Sequence, residues 1–128
     1  MTGVEMDFVV EDSLAALALY RAVFDDLNTL EATNLEKGLN EAIFSLYGVR
    51  FHMLDANADF QLHGPRAGET PSFWFNVVAP DVGKTVRQAI AAGCSEVQPV
   101  TEQPDYGVRN AMFADPFGYI WMVQEIIR

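Results

Sequence analysis

Alternating apolar and polar residues mark several short segments in the first half of the chain. Together with β-branched and aromatic residues, this alternation predicts β-strands over residues 6–10, 39–46 and 49–54. Asp12 or Ser13, after the first of these segments, is typical of a helix N-cap. An apolar stripe at helical spacing then predicts one amphipathic helix; its members are Leu14, Leu17, Tyr20, Val23, Phe24 and Leu27.

The second half repeats this order of elements. A strand over residues 73–78 is followed by Asp81 as a helix cap, and Gly93 provides the left-handed residue that ends the helix. The apolar stripe of this helix comprises Val82, Val86, Ala89 and Ile90. Further strands are predicted over residues 96–100, 109–114 and 119–126. A tight turn joins the last two strands, because Pro116 and Gly118 occupy its second and fourth positions.

An internal duplication relates the two halves. Residues 38–44 match residues 107–113 in pattern at a separation of 69, and residues 47–53 match residues 117–123 at a separation of 70. We therefore expect a single α+β domain built from two tandem βαβββ modules. The expected parts are module one at about 4–54, a connector at 55–71 and module two at about 72–128. Glycine and proline without periodicity mark the connector.

The twofold period of a strand assigns side chains to faces. One face packs against the helices; it carries Met6, Phe8, Val10, Phe51, Met53, Phe73, Phe75, Val77, Trp121 and Val123. The opposite face mixes polar and apolar residues; it carries Glu5, Asp7, Val9, His52, Leu54, Trp74, Asn76, Val78, Met122 and Gln124. Such a mixture is typical of a ligand-binding cup. The alternative is an ordinary sheet surface that is partly exposed to solvent.

Composition narrows the function classes. Half of the 128 residues are hydrophobic, and the formal net charge is −10. A chain so acidic is a poor partner for nucleic acid or for an anionic membrane surface. The longest stretch without a charged side chain, residues 70–80, is too short to span a bilayer, and the acidic N-terminus does not resemble a signal peptide. The single cysteine, Cys94, fits a reducing cytoplasm and a buried apolar role.

The second module ends in Asp115-Pro116-Phe117-Gly118, followed by Trp121-Met122. With the paired βαβββ modules, this ending resembles the vicinal oxygen chelate superfamily, which includes glyoxalase I, extradiol dioxygenases and bleomycin-resistance proteins. Within that group it looks most like the PhnB-like branch. The resemblance covers nearly the whole chain. It implies a curved mixed sheet around a cup, a small-molecule ligand and a homodimer.

In metal-dependent members of that superfamily, four strand residues converge on a divalent ion. Those positions correspond here to Glu5, His52, Trp74 and Met122. Glu5 and His52 can ligate such an ion, whereas Trp74 cannot and the Met122 thioether suits Mg²⁺, Mn²⁺ or Ni²⁺ poorly. The resemblance thus implies a degenerate metal site, limited to Glu5 and His52 if an ion binds at all.

Candidate roles follow for the mixed face. Glu5, Asp7 and His52 are the candidate catalytic residues, because paired carboxylates and an imidazole can move protons near neutral pH. Trp74, Asn76, Met122 and Gln124 are candidate substrate-binding residues. Each also has a structural alternative: His52 as a hydrogen-bonded residue at a sheet edge, the carboxylates as solvated groups, and Asn76 and Gln124 as a cross-strand pair.

Two functions remain open from the sequence. The first is a glyoxalase-like enzyme of the lyase or isomerase type, in which Glu5 or Asp7 and His52 move protons. The second is a dimeric protein that binds or sequesters a drug or metabolite without catalysis, where the acidic surface favours a cationic or aromatic guest.

Overall fold

The computed structural model describes residues 2–66, 68–69 and 72–127, which divide into two units, Met1–Arg66 and Ala67–Arg128. The first unit contains β1 (Met6–Val10), α1 (Ser13–Val23), β2 (Asn28–Thr33), β3 (Glu41–Leu46) and β4 (Val49–Asp55). The second contains β5 (Phe75–Val78), α2 (Val82–Ala92), β6 (Ser95–Gln103), β7 (Val108–Ala114) and β8 (Ile120–Ile126). Single 3₁₀ turns lie at Ala58–Phe60 and Pro104–Tyr106. Neither helix of the described residues has the length and apolarity that crossing a membrane requires.

Each unit forms one four-stranded mixed sheet. The strand orders are β1-β4-β3-β2 and β5-β8-β7-β6. Strand β1 pairs in parallel with β4, and β5 pairs in parallel with β8. The remaining neighbours in both sheets are antiparallel. The helix and the two middle strands together form the long connection that each parallel pair needs. The predicted α+β class and the two βαβββ modules are confirmed.

Both helices begin at a pair of carboxylates. Asp12 accepts hydrogen bonds from Leu14 N and Ala15 N at the start of α1, and Asp81 accepts one from Lys84 N at the start of α2. A second carboxylate comes from the last strand of each sheet. Asp55 accepts from Ser13 N at 2.7 Å, and Glu125 accepts from Val82 N at 2.9 Å. These acceptors satisfy amide groups that a helix leaves without partners, and their charge suits the helix dipole.

The helix-facing residues form the two cores. Phe51, Met53, Phe75, Val77, Trp121 and Val123 are all buried, as their alternation predicts. Met6 and Phe73 were expected beside them, but both are more than 40% exposed. Met6 is the first residue of β1, and Phe73 precedes β5, so both lie where their strands begin.

The Asp115-Pro116-Phe117-Gly118 turn owes its pattern to the fold. Asp115 is buried, and its Oδ1 accepts from Phe117 N and Tyr119 N at 2.9 and 3.0 Å. Its Oδ2 accepts from Trp121 Nε1 at 2.9 Å. Gly118 has a φ of +96°, where a side chain would be strained. The motif therefore specifies a turn and a core tryptophan rather than a reaction.

Several sequence expectations about element limits are wrong. The strand expected at 39–46 begins at Glu41, the strand expected at 73–78 begins at Phe75, and α1 ends at Val23, short of Leu27. Strand β2 was not predicted, because all but one of its residues are exposed and no alternation marks it. Asp55, expected in the connector, is the buried last residue of β4.

Candidate functional site

Five ionisable side chains meet on one face of the first sheet; we call Glu5, Asp7, Glu41, Arg50 and His52 the His52 cluster. Asp7 and His52 are direct partners in the parallel β1–β4 pair. Ile43 of β3 lies opposite His52, which places Glu41 diagonally beside it on the same face. Glu5 and Arg50 lie two residues before Asp7 and His52, so the strand period brings them to this face as well.

The His52 ring lies between carboxylates on both sides. Its Nε2 is 2.8 Å from Glu41 Oε1, and its Nδ1 is 3.2 Å from Glu5 Oε1. Asp7 Oδ2 is 3.6 Å from the same Nδ1. A neutral imidazole has one N–H, whereas carboxylates at both nitrogens can be satisfied only by the imidazolium, which has two. The geometry therefore favours the protonated ring.

The surroundings raise the pKa of His52 above its ordinary value of 6.5. Partial burial opposes the charge, but the hydrogen bonds to Glu41 and Glu5 and the negative charges of Asp7 and Glu41 outweigh it. With 18% of its side chain exposed, the ring can still be reached from solvent. The raised pKa favours the protonated form of His52, which can donate a proton.

The carboxyl groups of Glu5, just before β1, and Asp7, within β1, have opposite pKa shifts. The hydrogen bond from Arg50 Nε, at 2.6 Å, lowers the pKa of Glu5, and His52 and Asp7 lower it further. Partial burial raises the pKa of Asp7, and the neighbouring Glu5 and Glu41 raise it further against the opposing charge of His52. The surroundings therefore make Asp7 more basic than an ordinary aspartate, and about half of its side chain is exposed.

The donor set fits a resident divalent ion poorly. Ligand atoms of Glu5, Asp7 and His52 lie within 4.8 Å of one another. However, Arg50 already holds Glu5, and His52 must lose a proton and a hydrogen bond before either nitrogen can ligate. The cluster contains its own two cations, so an incoming metal ion competes with both.

The second unit carries the other predicted site residues. Asn76 and Met122 are direct partners across β5 and β8, and Gln124 Nε2 donates to Asn76 Oδ1 at 3.0 Å. The cross-strand alternative for this amide pair is therefore present. Trp74 precedes β5 and is 54% exposed. A substrate-binding role for these four residues stays a prediction.

Sequence reasoning missed Glu41 and Arg50. Arg50 is two residues before His52, so the strand period alone could have placed it on the mixed face. Glu41 was not considered because it lies on β3, and its approach to His52 depends on the β3–β4 register. That register is a long-range property that local alternation does not reveal.

A cleft of about 160 Å³ adjoins the cluster. Its walls include Glu31 and Thr33 from β2 with Glu41, Ile43 and His52. This cleft gives a small molecule access to the Glu41 side of the imidazole ring.

Cys94 takes no part in this site. The thiol is buried in the second unit, as expected. Burial, together with the negative charge of Asp115, raises the pKa of Cys94 to about 12. A thiolate nucleophile at this position is therefore absent at neutral pH.

Comparison with known proteins identifies the fold. No model of a known protein family matches the sequence, and no curated protein matches it. Among solved structures, a gene product from Arabidopsis thaliana has a TM-score of 0.76 at 19% identity, over 96% of this chain and 98% of that one. A glyoxalase/bleomycin resistance protein/dioxygenase family enzyme from Burkholderia phytofirmans has a TM-score of 0.72 at 19% identity, over 95% and 96%.

A third similar structure carries a ligand. It is the fosfomycin resistance protein FosX from Listeria monocytogenes, complexed with Mn(II) and dihydroxypropylphosphonic acid. Its TM-score is 0.71 at 14% identity, over 96% of this chain and 89% of that one. Identities this low establish the fold and not the reaction. The chain has the fold of the glyoxalase, bleomycin-resistance and dioxygenase proteins, as its resemblance to the vicinal oxygen chelate superfamily indicated.

Proposed function

We propose that this protein is a proton-transfer enzyme of the lyase or isomerase type that acts on a small molecule at the His52 cluster. The observation that carries the proposal is the pair formed by Asp7 and His52. They lie 3.6 Å apart on an open sheet face, and the pKa of each is raised. A carboxylate base beside an imidazolium acid is a recurrent arrangement for moving protons at neutral pH.

The proposed chemistry uses this chain's own groups. Asp7 removes a proton from a carbon next to a carbonyl group, and the Nδ1–H of His52 donates to the carbonyl oxygen as negative charge develops there. The product of this step is an enol. Returning the proton to the opposite face of the same carbon inverts that centre. Where that carbon also carries a hydroxyl group, the enediol can instead take the proton at the former carbonyl carbon while its other hydroxyl loses one, which completes an isomerisation. The Nδ1 side suits the role because its contact with Glu5, at 3.2 Å, is longer than the Nε2 contact with Glu41.

Deuterium incorporation tests the proposal. The protein is incubated in D₂O with a panel of simple ketones, aldehydes and 2-oxo acids, in the presence of a chelator, and exchange is followed by NMR. We expect exchange that Asp7→Asn and His52→Gln each reduce by about 100-fold or more. Asp105→Asn and His63→Gln are matched controls at exposed positions and should leave exchange unchanged. Exchange that appears only with added Mn²⁺ or Zn²⁺, or that survives both cluster variants, contradicts the proposal.

Ligand binding without catalysis is the second candidate, and one observation favours it. Both nitrogens of His52 already have protein carboxylate partners, which is also how a structural imidazolium is held. The cluster and its cleft then serve as a binding surface. In that case ligands raise the melting temperature, no probe exchanges protons, and the cluster variants lower affinity alone.

A homodimer is part of both proposals. It is supported only by the superfamily resemblance that the sequence carries. Light scattering at micromolar concentration should give about twice the 14.2 kDa mass of the chain. A particle of the single-chain mass removes the dimer from both proposals.

A further inference from the structure

A second cavity, of about 230 Å³, lies in the first unit at the end of the sheet face that carries the His52 cluster. Its apolar wall is formed by Leu54 of β4 with Leu39, Phe60 and Leu62 from the flanking loops. We call it the Leu54 pocket. Phe60 is 62% exposed although it is a large aromatic residue, so this wall is incompletely covered. Neither the proton-transfer proposal nor the fold requires the pocket.

Most polar groups of the Leu54 pocket are already used by the fold. Asp55 Oδ1 accepts from Ser13 N, and Asp55 Oδ2 accepts from Gly38 N and Asn40 N at 2.9 and 3.3 Å. Asn40 Oδ1 accepts from Leu35 N at 2.7 Å. These oxygens hold the helix start and the β3 entrance together, and they have little capacity left for a ligand.

Glu41 is the exception. It borders both the Leu54 pocket and the cleft beside the His52 cluster. Its Oε1 accepts from His52, whereas its Oε2 has no donor among residues 2–66, 68–69 and 72–127. A carboxylate oxygen with spare capacity at the mouth of an apolar pocket is complementary to a ligand that joins a cationic group to an apolar body.

We propose that the Leu54 pocket binds a compact organic ammonium ion, with its apolar body among Leu39, Leu54 and Phe60 and its ammonium group on Glu41. The volume sets the size, because drug-sized ligands occupy roughly 300–1,000 Å³. A single ring or a short branched alkyl group fits the smaller space. The net charge of −10 adds long-range attraction for a cation.

Binding at the Leu54 pocket does not depend on proton transfer by Asp7 and His52. The two are linked only through Glu41, which the ammonium group shares with His52. A bound ammonium ion weakens the Glu41–His52 hydrogen bond and should lower the pKa of His52. Failure of this inference leaves the deuterium exchange of the previous section untouched, and failure of that exchange leaves the pocket intact.

Leucine methyl NMR of the full chain tests the pocket directly. The probes are 2-phenylethylammonium and its neutral analogue 2-phenylethanol, matched in shape. We expect saturable shifts at Leu39, Leu54 and Leu62 with the ammonium ion, and affinity about fivefold weaker for the alcohol. Leu54→Ala should weaken the affinity for the ammonium ion by about tenfold. Glu41→Gln should make the affinities for the two probes equal.

Two further variants serve as a second test of the pocket and as a control. Phe60→Ala removes part of the wall at an exposed position, so it tests the pocket even where Leu54→Ala perturbs folding. Leu30→Ala removes an exposed leucine of the same unit outside the pocket and should leave affinity unchanged. Absent methyl shifts, equal affinity for both probes in the unaltered protein, or shifts that follow protein concentration because a second copy covers the pocket each overturn the proposal.

Discussion

The two units share one scaffold and differ in the chemistry of one sheet face. Their strand orders and pairing directions are the same, and a separation of 69 or 70 residues relates α1 and the strands β1, β3 and β4 to α2, β5, β7 and β8. Even the helix starts correspond, since Asp12 and Asp55 occupy the places of Asp81 and Glu125. The duplication therefore preserves the polar contacts that build the fold.

The sheet faces that point away from the helices differ in charge between the two units. Every residue of the His52 cluster has an uncharged counterpart in the second unit. The pairs by register are Asp7 and Asn76, Glu41 and Asn110, Arg50 and Ile120, and His52 and Met122. Glu5 and Trp74 correspond in the sequence, because each lies two residues before the first of these pairs. Because the second unit forms the same sheet without these charges, the scaffold does not need them. This contrast is the physical reason for placing function on the first unit.

The shared scaffold predicts the largest effect at Asp55. Its carboxylate is buried and accepts from three backbone amides, so Asp55→Ala should lower the free energy of unfolding by about 3 kcal/mol. Glu125→Ala, at the equivalent but less buried position, should cost about 1–2 kcal/mol. Urea unfolding measures both, with the exposed Asp105→Ala as the control at about 0.5 kcal/mol or less. Equal losses at Asp55 and Asp105 contradict the scaffold role.

Removing the internal cation should change metal binding in the first unit alone. Arg50→Met frees Glu5 from its ion pair, so calorimetry should show Mn²⁺ or Zn²⁺ affinity rising by about tenfold. Glu5→Gln added to Arg50→Met should abolish the gain. An unchanged affinity in Arg50→Met shows that Arg50 does not compete with a metal ion.

The contrast between His52 and Met122 predicts a difference in pH dependence. The pKa of His52 is raised in the folded protein, so its ion pairs stabilise the fold fully below the unfolded value near 6.5. This contribution is lost as pH rises through the higher folded value. The stability difference between the unaltered protein and His52→Gln should therefore shrink from pH 5 to pH 9. The stability difference between the unaltered protein and Met122→Leu should stay constant over this range. A stability difference for His52→Gln that grows with pH contradicts a raised pKa of His52.

The smallest effect is expected at Trp74, the counterpart of Glu5. Trp74 is 54% exposed and precedes its strand, so Trp74→Ala should change the free energy of unfolding by about 0.5 kcal/mol or less. A loss of unfolding free energy as large as that for Asp55→Ala would show that the fold of the second unit depends on this face.

Local patterns were sufficient for most of the fold. Alternation, the Asp12 and Asp81 caps, and Gly93 predicted the helices and seven of the strands because each signal lies within a few residues. Strand β2 was not predicted because an exposed edge strand does not require alternating apolar residues. Asp55 was misassigned since its partners, Ser13 N and Gly38 N, are distant in the sequence.

The candidate site was predicted in part. Alternation grouped Glu5, Asp7 and His52 on one face, which the structure brings together. It did not bring in Arg50, which lowers the pKa of Glu5, or Glu41, which raises the pKa of His52. Those contacts depend on strand register and side-chain reach, and neither is encoded in a local window.

The titration of His52 tests the central claim most directly. Nitrogen-15 NMR of the imidazole ring measures its pKa and the protonation of each nitrogen in the unaltered protein and in Glu41→Gln. We predict a pKa above 6.5, two protonated nitrogens near neutral pH, and a lower pKa in the variant. A ring that is neutral at pH 6.5 and below, with a pKa that Glu41→Gln leaves unchanged, would contradict the account.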